Sequence, residues 1–378
     1  MKTQPSPPMD PLIPVQDPAM KPRKSYLWVF ILLTFVLLAS AISLQYQAAG
    51  KMSKKLTQGV QVEESAVVKE GDPTPTPFPF REMTIPYLRT REYKSQVGEL
   101  SVNSQNSAYI SYLTSYDSDG LRINAQLTTP TGDMPEGGWP GIVFVHGYIP
   151  PTQYETLNRY LQYVDYLARN GFVVFKIDLR GHGSSEGEPG GAYYSSDYVI
   201  DTLNAYAALQ ATDFVNPKKI GLWGHSMAGN IALRSLAARP TIPAVAIWGG
   251  AVYTYDDRLK YGIQDGSYVP PSTPNRNQSQ RQKLRDVYGE FDNSKPFWHQ
   301  VAPTNYLNDI QGALSLHHAI NDEVVNIGYS RELTALLDKT SVTHNMHEYP
   351  SGGHDIADPS FSQAMQDTVD FYQSIFSK

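Results

Sequence analysis

The chain has 378 residues, 41% hydrophobic and 11% aromatic, which is ample for a buried core and excludes a disordered protein. The formal net charge is -6 and no Lys/Arg-rich run lies outside the N-terminal region, so there is no electrostatic footprint for nucleic acid. With no cysteine, a disulfide framework, a thiolate metal site, a cysteine nucleophile and lipid attachment on cysteine are all excluded.

Residues 1–25 carry Pro5, Pro7, Pro8, Pro11, Pro14, Pro18 and Pro22, so no helix propagates there and a disordered tail is expected. Tyr26 to Leu44 is uncharged over 19 residues, and a helix of that length spans about 28 Å, close to the hydrocarbon core of a bilayer. Lys21, Arg23 and Lys24 precede it, so the positive-inside rule makes it a single-pass signal anchor, with the N-terminus cytoplasmic and the rest outside. The competing reading is a signal peptide with Leu27–Leu38 as its apolar region, cleaved near Ala39-Ser40-Ala41 to give a secreted protein. Both readings export the remainder of the chain. Residues 45–80 read as a stalk, because Asp72–Pro79 (DPTPTPFP) alternates proline with other residues and favours an extended polyproline II spacer.

Residues 81–378 are then left for one folded domain. YISYLTSY and LRINAQLTT flank Asp117-Ser118-Asp119-Gly120, which predicts an antiparallel hairpin. Short apolar runs next alternate with helical patterns. Strands are expected at 141–145, 172–177, 219–223, 244–248, 313–319 and 343–349, and helices near 156–170, 196–212, 227–238, 327–338 and 360–376. Such alternation means a mostly parallel sheet covered by helices on both faces. Residues 251–306 interrupt the rhythm with Tyr, Pro, Asn, Gln and charge, and read as a cap insertion over one edge of the sheet. Its aromatics, Tyr253, Tyr255, Tyr261, Tyr268, Tyr288, Phe291, Phe297 and Trp298, could line a substrate pocket or simply pack the cap.

Gly224-His225-Ser226-Met227-Ala228 follows a predicted strand and opens a predicted helix, the context of a nucleophile elbow. In so tight a turn the residues two before and two after the serine must be small, as Gly224 and Ala228 are. A serine hydroxyl needs a base and a carboxylate that orients the base. His354 in YPSGGHDI and Asp322 in HHAINDEVV each follow a predicted strand, at the end where an open α/β sheet builds its ligand site. For the oxyanion, Met227 offers one backbone N–H. His146-Gly147-Tyr148, directly after GIVFV, offers a second from Tyr148, whose phenol is an additional candidate donor, and Gly147 lets the backbone approach the substrate. Adjacent His317 and His318 on a strand point to opposite faces and do not share a metal. Neither a zinc-protease motif nor a nucleotide-binding glycine motif occurs, so no metal or cofactor is expected.

With these residues in place, Ser107–Ser377 resembles the α/β-hydrolase superfamily, specifically the catalytic domain of the prolyl oligopeptidase (S9) group and related esterases. The resemblance rests on HGY at 146–148, Asp178–Ser185 (DLRGHGSS), GHSMAG at 224–229, the 305–325 block and GGHD at 352–355. It implies the α/β-hydrolase fold, with Ser226 as nucleophile, His354 as base and Asp322 as its orienting acid. It also implies a structural role for the loop of Asp178, Arg180 and His182. His318 stands where relatives usually carry glycine. The peptidases of this group carry a large β-propeller before the catalytic domain, and residues 45–106 are too short for one. An ester, thioester or small amide is therefore expected beside a peptide as the bond cleaved. A reading from another class is a membrane-tethered binding protein that uses the same fold without catalysis.

Overall fold

The computed structural model describes residues 79–264 and 276–378. The expected tail (1–25), membrane segment (26–44) and nearly all of the stalk (45–80) lie outside the described residues, as does Tyr268. Among the described residues no helix is long and apolar enough to cross a membrane.

Nine strands form one sheet. They are β1 (Ser101–Gln105), β2 (Tyr109–Ser118), β3 (Leu121–Pro130), β4 (Trp139–Val145), β5 (Val173–Ile177), β6 (Val215–His225), β7 (Ala244–Trp248), β8 (Ala313–Ala319) and β9 (His344–Tyr349). Their order is β1-β2-β3-β5-β4-β6-β7-β8-β9. The first three strands pair antiparallel, β3 pairs antiparallel with β5, and every pair from β5 to β9 is parallel. The predicted hairpin closes on Asp119 and Gly120, whose φ values of 58° and 78° are those a two-residue turn between twisted strands demands. The expectations had no strand at β1 and no helix at α1 (Ile85–Thr90). β1 is exposed along its length, so no apolar alternation marks it.

The parallel strands are apolar on both faces because both faces are covered. Val143, Val145, Phe175, Ile177, Leu222 and Val245 pack on one side with α3 (Asp197–Gln210), α4 (Ala228–Ala238) and α8 (Gly328–Leu337). Ile142, Phe144, Val174, Trp223, Ala246 and Trp248 pack on the other with α2 (Leu161–Arg169) and α9 (Phe361–Phe376). Each large side chain buried this way contributes about 1.5–3 kcal/mol. Helix α3 is buried nearly all round, between the sheet and α4, and loses the one-sided pattern of a surface helix. The helix expected from 156 starts only at Leu161, because Pro151–Gln153 takes a 3-10 turn and Tyr160 sits at φ 59°.

Between β7 and β8 the predicted insertion carries α5 (Tyr255–Tyr261), α6 (Arg276–Tyr288), α7 (Pro296–Val301) and a 3-10 turn at Pro303–Asp309. A separate cluster of Met83, Tyr255, Leu284, Phe297, Trp298 and Val301 holds it to the segment around residues 80–83.

The chain runs from β4 out to β5 and returns past β4 to β6, so the sheet order reverses between β4 and β6. Connections leave in opposite directions there, opening a crevice at the carboxyl ends of those two strands. His146-Gly147-Tyr148 and Ser226 both stand at that crevice.

Candidate active site

β6 ends at His225 and α4 begins at Ala228, leaving two residues to turn from strand to helix. Ser226 takes φ 55°, a left-handed conformation that costs a non-glycine residue about 1–3 kcal/mol. Hydrogen bonds hold it there. Its N–H donates to the Trp248 carbonyl at 2.9 Å, and its carbonyl accepts from the N–H groups of Gly229 at 2.9 Å and Ala251 at 3.1 Å. A Cβ on Gly224 would stand 2.9 Å from the Ala228 carbonyl oxygen and 3.2 Å from the Ala228 methyl, which is why both positions are small. Met227, at the N-cap of α4, donates its N–H to no acceptor among the described residues and remains available for an anion.

Asp322 follows β8 and His354 follows β9, and their side chains meet. His354 Nδ1 lies 2.8 Å from Asp322 Oδ2, whose side chain is fully enclosed, while the histidine keeps 18% exposure. A carboxylate only accepts, so Nδ1 carries the hydrogen and Nε2 keeps its lone pair. Asp322 Oδ1 accepts from the N–H groups of Val324 and Val325, both at 2.9 Å. Burial pushes the Asp322 carboxyl up, but hydrogen bonds from His318, His354 and the Val325 N–H outweigh it and hold the group well below the usual carboxylate range.

Gly249, at φ 50°, makes room for this pair, since a Cβ there would lie 3.3 Å from both Asp322 Oδ2 and His354 Nδ1. Gly249→Ala is therefore expected to lower kcat for a chromogenic ester by about 100-fold, with a much smaller fall in melting temperature. Comparing turnover with thermal melts of the two proteins checks this.

The loop after β4 is tied to the elbow through a histidine and a tyrosine. Gly147 N–H donates to Tyr160 Oη at 2.9 Å, and Tyr160 Oη lies 2.7 Å from His225 Nδ1. His225 Nε2 lies 3.0 Å from the His354 carbonyl oxygen. That carbonyl only accepts, so His225 Nε2 carries the hydrogen and Tyr160 donates to Nδ1. Burial, with the nearby His354 second, pushes the His225 imidazole down to about 3, so it serves as a neutral brace. A Cβ at Gly147 would stand 2.8 Å from Tyr160 Oη and 3.1 Å from the Ser226 Cβ, so only glycine fits between loop and serine.

A cavity of about 360 Å3 gathers Gly147, Tyr148, Tyr160, His225, Ser226 and His354, together with Arg159, Tyr163, Val324 and Asp355. The structure thus brings Ser226, His354 and Tyr148 to one cavity, with Met227 adjoining the serine and Asp322 behind the histidine. No hydrogen bond joins Ser226 to His354 among the described residues. In unliganded hydrolases that contact is commonly loose and tightens with substrate. Sequence reasoning missed Tyr160, which lies in a stretch expected to be helical and carries no motif, and Gly249, whose signal was the glycine pair directly after AVAIW.

Other singled-out residues fall elsewhere. His146 is buried beneath the loop, its Nδ1 2.7 Å from the Gly147 carbonyl, with burial holding it well below the usual histidine range. His317 and His318 do point to opposite faces, and both are buried: His317 meets Tyr349 Oη at 2.8 Å and His318 meets Ser330 Oγ at 2.8 Å. The described aromatics of the insertion line no part of the Ser226 cavity. Tyr255, Phe291 and Trp298 border a separate cavity of about 260 Å3.

Asp178, Arg180 and His182 also lie outside the cavity and serve the packing. Arg180 grips the fully buried Asp201 of α3 through Nε at 3.0 and 3.1 Å and Nη2 at 2.6 Å. Asp178 accepts from Thr156 at 2.8 Å and Ser185 at 3.1 Å, yet burial raises its carboxyl to about 7. The folded state therefore holds this proton more tightly than the unfolded chain, and stability drains away as pH rises from the unfolded value near 3.8 through about 7. Asp178→Asn is expected to flatten that part of the stability curve. Melting temperatures measured at pH 5 and pH 8 would show the wild-type difference shrink, and an unchanged difference would sink the assignment.

Residues 141–265 match the family described as serine aminopeptidase, S33. The structure superposes on acetyl xylan esterase 1 from Thermoanaerobacterium sp. JW/SL YS485 with a TM-score of 0.54 at 18% identity, covering 76% of this chain and 91% of that one, a likeness of fold. The chain has the α/β-hydrolase fold. Among curated relatives of this α/β-hydrolase, mouse dipeptidyl peptidase 8 is 25% identical over 250 residues, 64% of this chain and 26% of that protein. A monoacylglycerol lipase of Mycolicibacterium smegmatis is 32% identical over 138 residues, 36% of this chain and 45% of that protein. The chain spans less than half the length of these relatives. The resemblance to S9 peptidases and to esterases thus holds, while the matched family carries the S33 description. That match takes in the HGY loop and the elbow and stops before Asp322 and His354.

Proposed function

We propose that this α/β-hydrolase is a serine hydrolase that cleaves an ester or amide through an acyl-enzyme. Ser226 attacks the carbonyl carbon, and His354 Nε2 takes its proton and later delivers it to the leaving group. Asp322 orients the ring and stabilises the imidazolium. The N–H groups of Met227 and Tyr148 receive the oxyanion. The observation that carries the reading is the enclosed Asp322–His354 pair, 2.8 Å apart, opening on the cavity where Ser226 is held at φ 55°. An intact nucleophile, base and acid favour this over a non-catalytic binding role.

Small substrates suit the cavity, whose volume of about 360 Å3 lies at the lower end for ligand sites. Its tyrosines and Arg159 favour an acyl or aryl ester, thioester or small amide over a long peptide. The domain is held outside the membrane by Tyr26–Leu44 with the N-terminus cytoplasmic, or is secreted if cleavage occurs near Ala41. Labelling of the full-length chain by a fluorophosphonate tests the enzyme reading: absent labelling of wild type, or equal labelling of Ser226→Ala, refutes it. Acyl p-nitrophenyl esters of graded length, run against prolyl and alanyl amides, then decide the bond.

A further inference from the structure

His318 lies on β8, one residue before the end of the strand, fully buried. Its Nε2 is 2.9 Å from the Val325 carbonyl oxygen and 3.2 Å from Asp322 Oδ2. Carbonyl and carboxylate both only accept, so Nε2 carries the hydrogen, and Nδ1, 2.8 Å from Ser330 Oγ, takes the hydrogen of that hydroxyl. Ser330 sits in the first turn of α8, so the ring is pinned between a helix and the turn that carries the acid.

The consequence lies in the carboxylate. Two backbone N–H groups donate to Oδ1 and His354 Nδ1 donates to Oδ2, while His318 Nε2, whose hydrogen goes to the Val325 carbonyl, stands 3.2 Å from the same Oδ2. An ionised carboxylate offers about four lone-pair sites, and here three hydrogen bonds and the close contact of His318 Nε2 take them up. Asp322 can neither rotate nor accept a proton from His354 without breaking one of these bonds, and its charge is divided between two imidazoles.

We propose that His318 is a positioning residue of the hydrolase, which locks Asp322 and, by sharing the oxygen that His354 uses, lowers the basicity of His354. The proposal rests on the triad reading of Ser226, His354 and Asp322. Removing the His318 donor leaves the full charge of Oδ2 to His354, which stabilises its protonated form. The acid limb of kcat/KM then moves to higher pH, the sign expected when a base is made easier to protonate.

Other charged and titratable groups face this site. His225 packs on His354 with ring centroids 4.6 Å apart, and burial keeps it neutral. The exposed Asp355 carboxylate lies 3.8 Å from His225 Nε2. Glu348, paired with Arg331 at 2.6 Å, is held below the ordinary carboxylate range by that pairing. The Tyr253 hydroxyl adjoins Ser330 and is kept protonated by burial. None of these supplies a hydrogen bond to Asp322.

The test is the pH profile of kcat/KM for p-nitrophenyl butyrate with the full-length chain. His318→Phe keeps the ring volume and deletes the donor, and is expected to lose about tenfold in kcat with little change in KM. Its acid limb is expected to rise by about half a unit. His318→Gln restores an N–H donor and is expected to bring the limb back toward wild type, which a purely space-filling role would not do. An active wild type whose limb stays put in folded His318→Phe, or moves equally in both variants, overturns the proposal. Should His318→Phe fail to fold, Ser330→Ala decides: release of Nδ1 shifts the limb upward if the proposal holds, and an unmoved limb overturns it. A wild type that neither turns over ester nor takes fluorophosphonate overturns the triad reading, and this proposal with it.

Discussion

Ser226→Ala is expected to lower kcat for a chromogenic ester by about four orders of magnitude or more and to abolish fluorophosphonate labelling, with the protein still folded. The size is that expected for the loss of the proposed nucleophilic oxygen. On the proposed mechanism no covalent route then remains, and His354 has only water to activate. Folding survives because the hydroxyl takes part in none of the bonds that hold the turn, which are made by the Ser226 backbone to Trp248, Gly229 and Ala251. The backbone strain persists in alanine, whereas glycine tolerates φ 55° without it. Ser226→Gly should therefore be as inactive as Ser226→Ala yet melt at a higher temperature. Scanning calorimetry of the two variants checks the order, and a lower melting temperature for glycine would mean that the elbow is not strained.

Asp322→Asn is the second large effect, with kcat expected to fall by about four orders of magnitude. The substitution is nearly isosteric and electrostatically opposite. Both oxygens of Asp322 face N–H groups, so an amide nitrogen must face either the N–H groups of Val324 and Val325 or the rings of His318 and His354. To regain a bond, His354 must shift its hydrogen to Nε2, the atom that has to accept the serine proton. Stability changes as well. The Asp322 carboxyl is held below its ordinary range, so the folded state binds fewer protons than the unfolded chain as pH drops. Its contribution is fully present above the unfolded value and is lost as pH falls through the folded one. Asp322→Asn should melt lower at neutral pH and lose less stability on acidification, which melts at pH 7 and pH 3 would reveal. Full activity in a folded Asp322→Asn protein would remove the acid from the mechanism.

Much of this was readable from the sequence, for specific reasons. β7 and β8 fall on the predicted residues 244–248 and 313–319, because strands buried on both faces are short unbroken apolar runs bounded by turn residues. Ser226 stood out as a candidate because a strand-to-helix turn this tight demands small residues at 224 and 228. Asp322 and His354 stood out as candidates because each comes directly after a predicted strand, and the structure places their side chains together. β1 was not, being a wholly exposed edge whose partner alone makes it a strand. The purpose of the insertion's aromatics was also undecided in the sequence, since packing and ligand contact call for the same side chains. Tyr255, Tyr288, Phe291, Phe297 and Trp298 pack into a cluster with Met83 and Leu284, Tyr253 and Tyr261 join the main core, and none of them lines the Ser226 cavity.

By itself the sequence determined the strand-helix alternation, the tight turn at Ser226 and the chain order of the candidate serine, acid and histidine, because each is written in local periodicity or local sterics. Only the tertiary structure decided that Asp322 lies 2.8 Å from His354, that His318 shares the same oxygen, and that Tyr160 and His225 brace the HGY loop against the elbow. The reason is physical. A hydrogen bond between residues far apart in the chain depends on how β8, β9 and the crossover after β4 are placed by the packing of both faces of the sheet, and no local pattern encodes that placement.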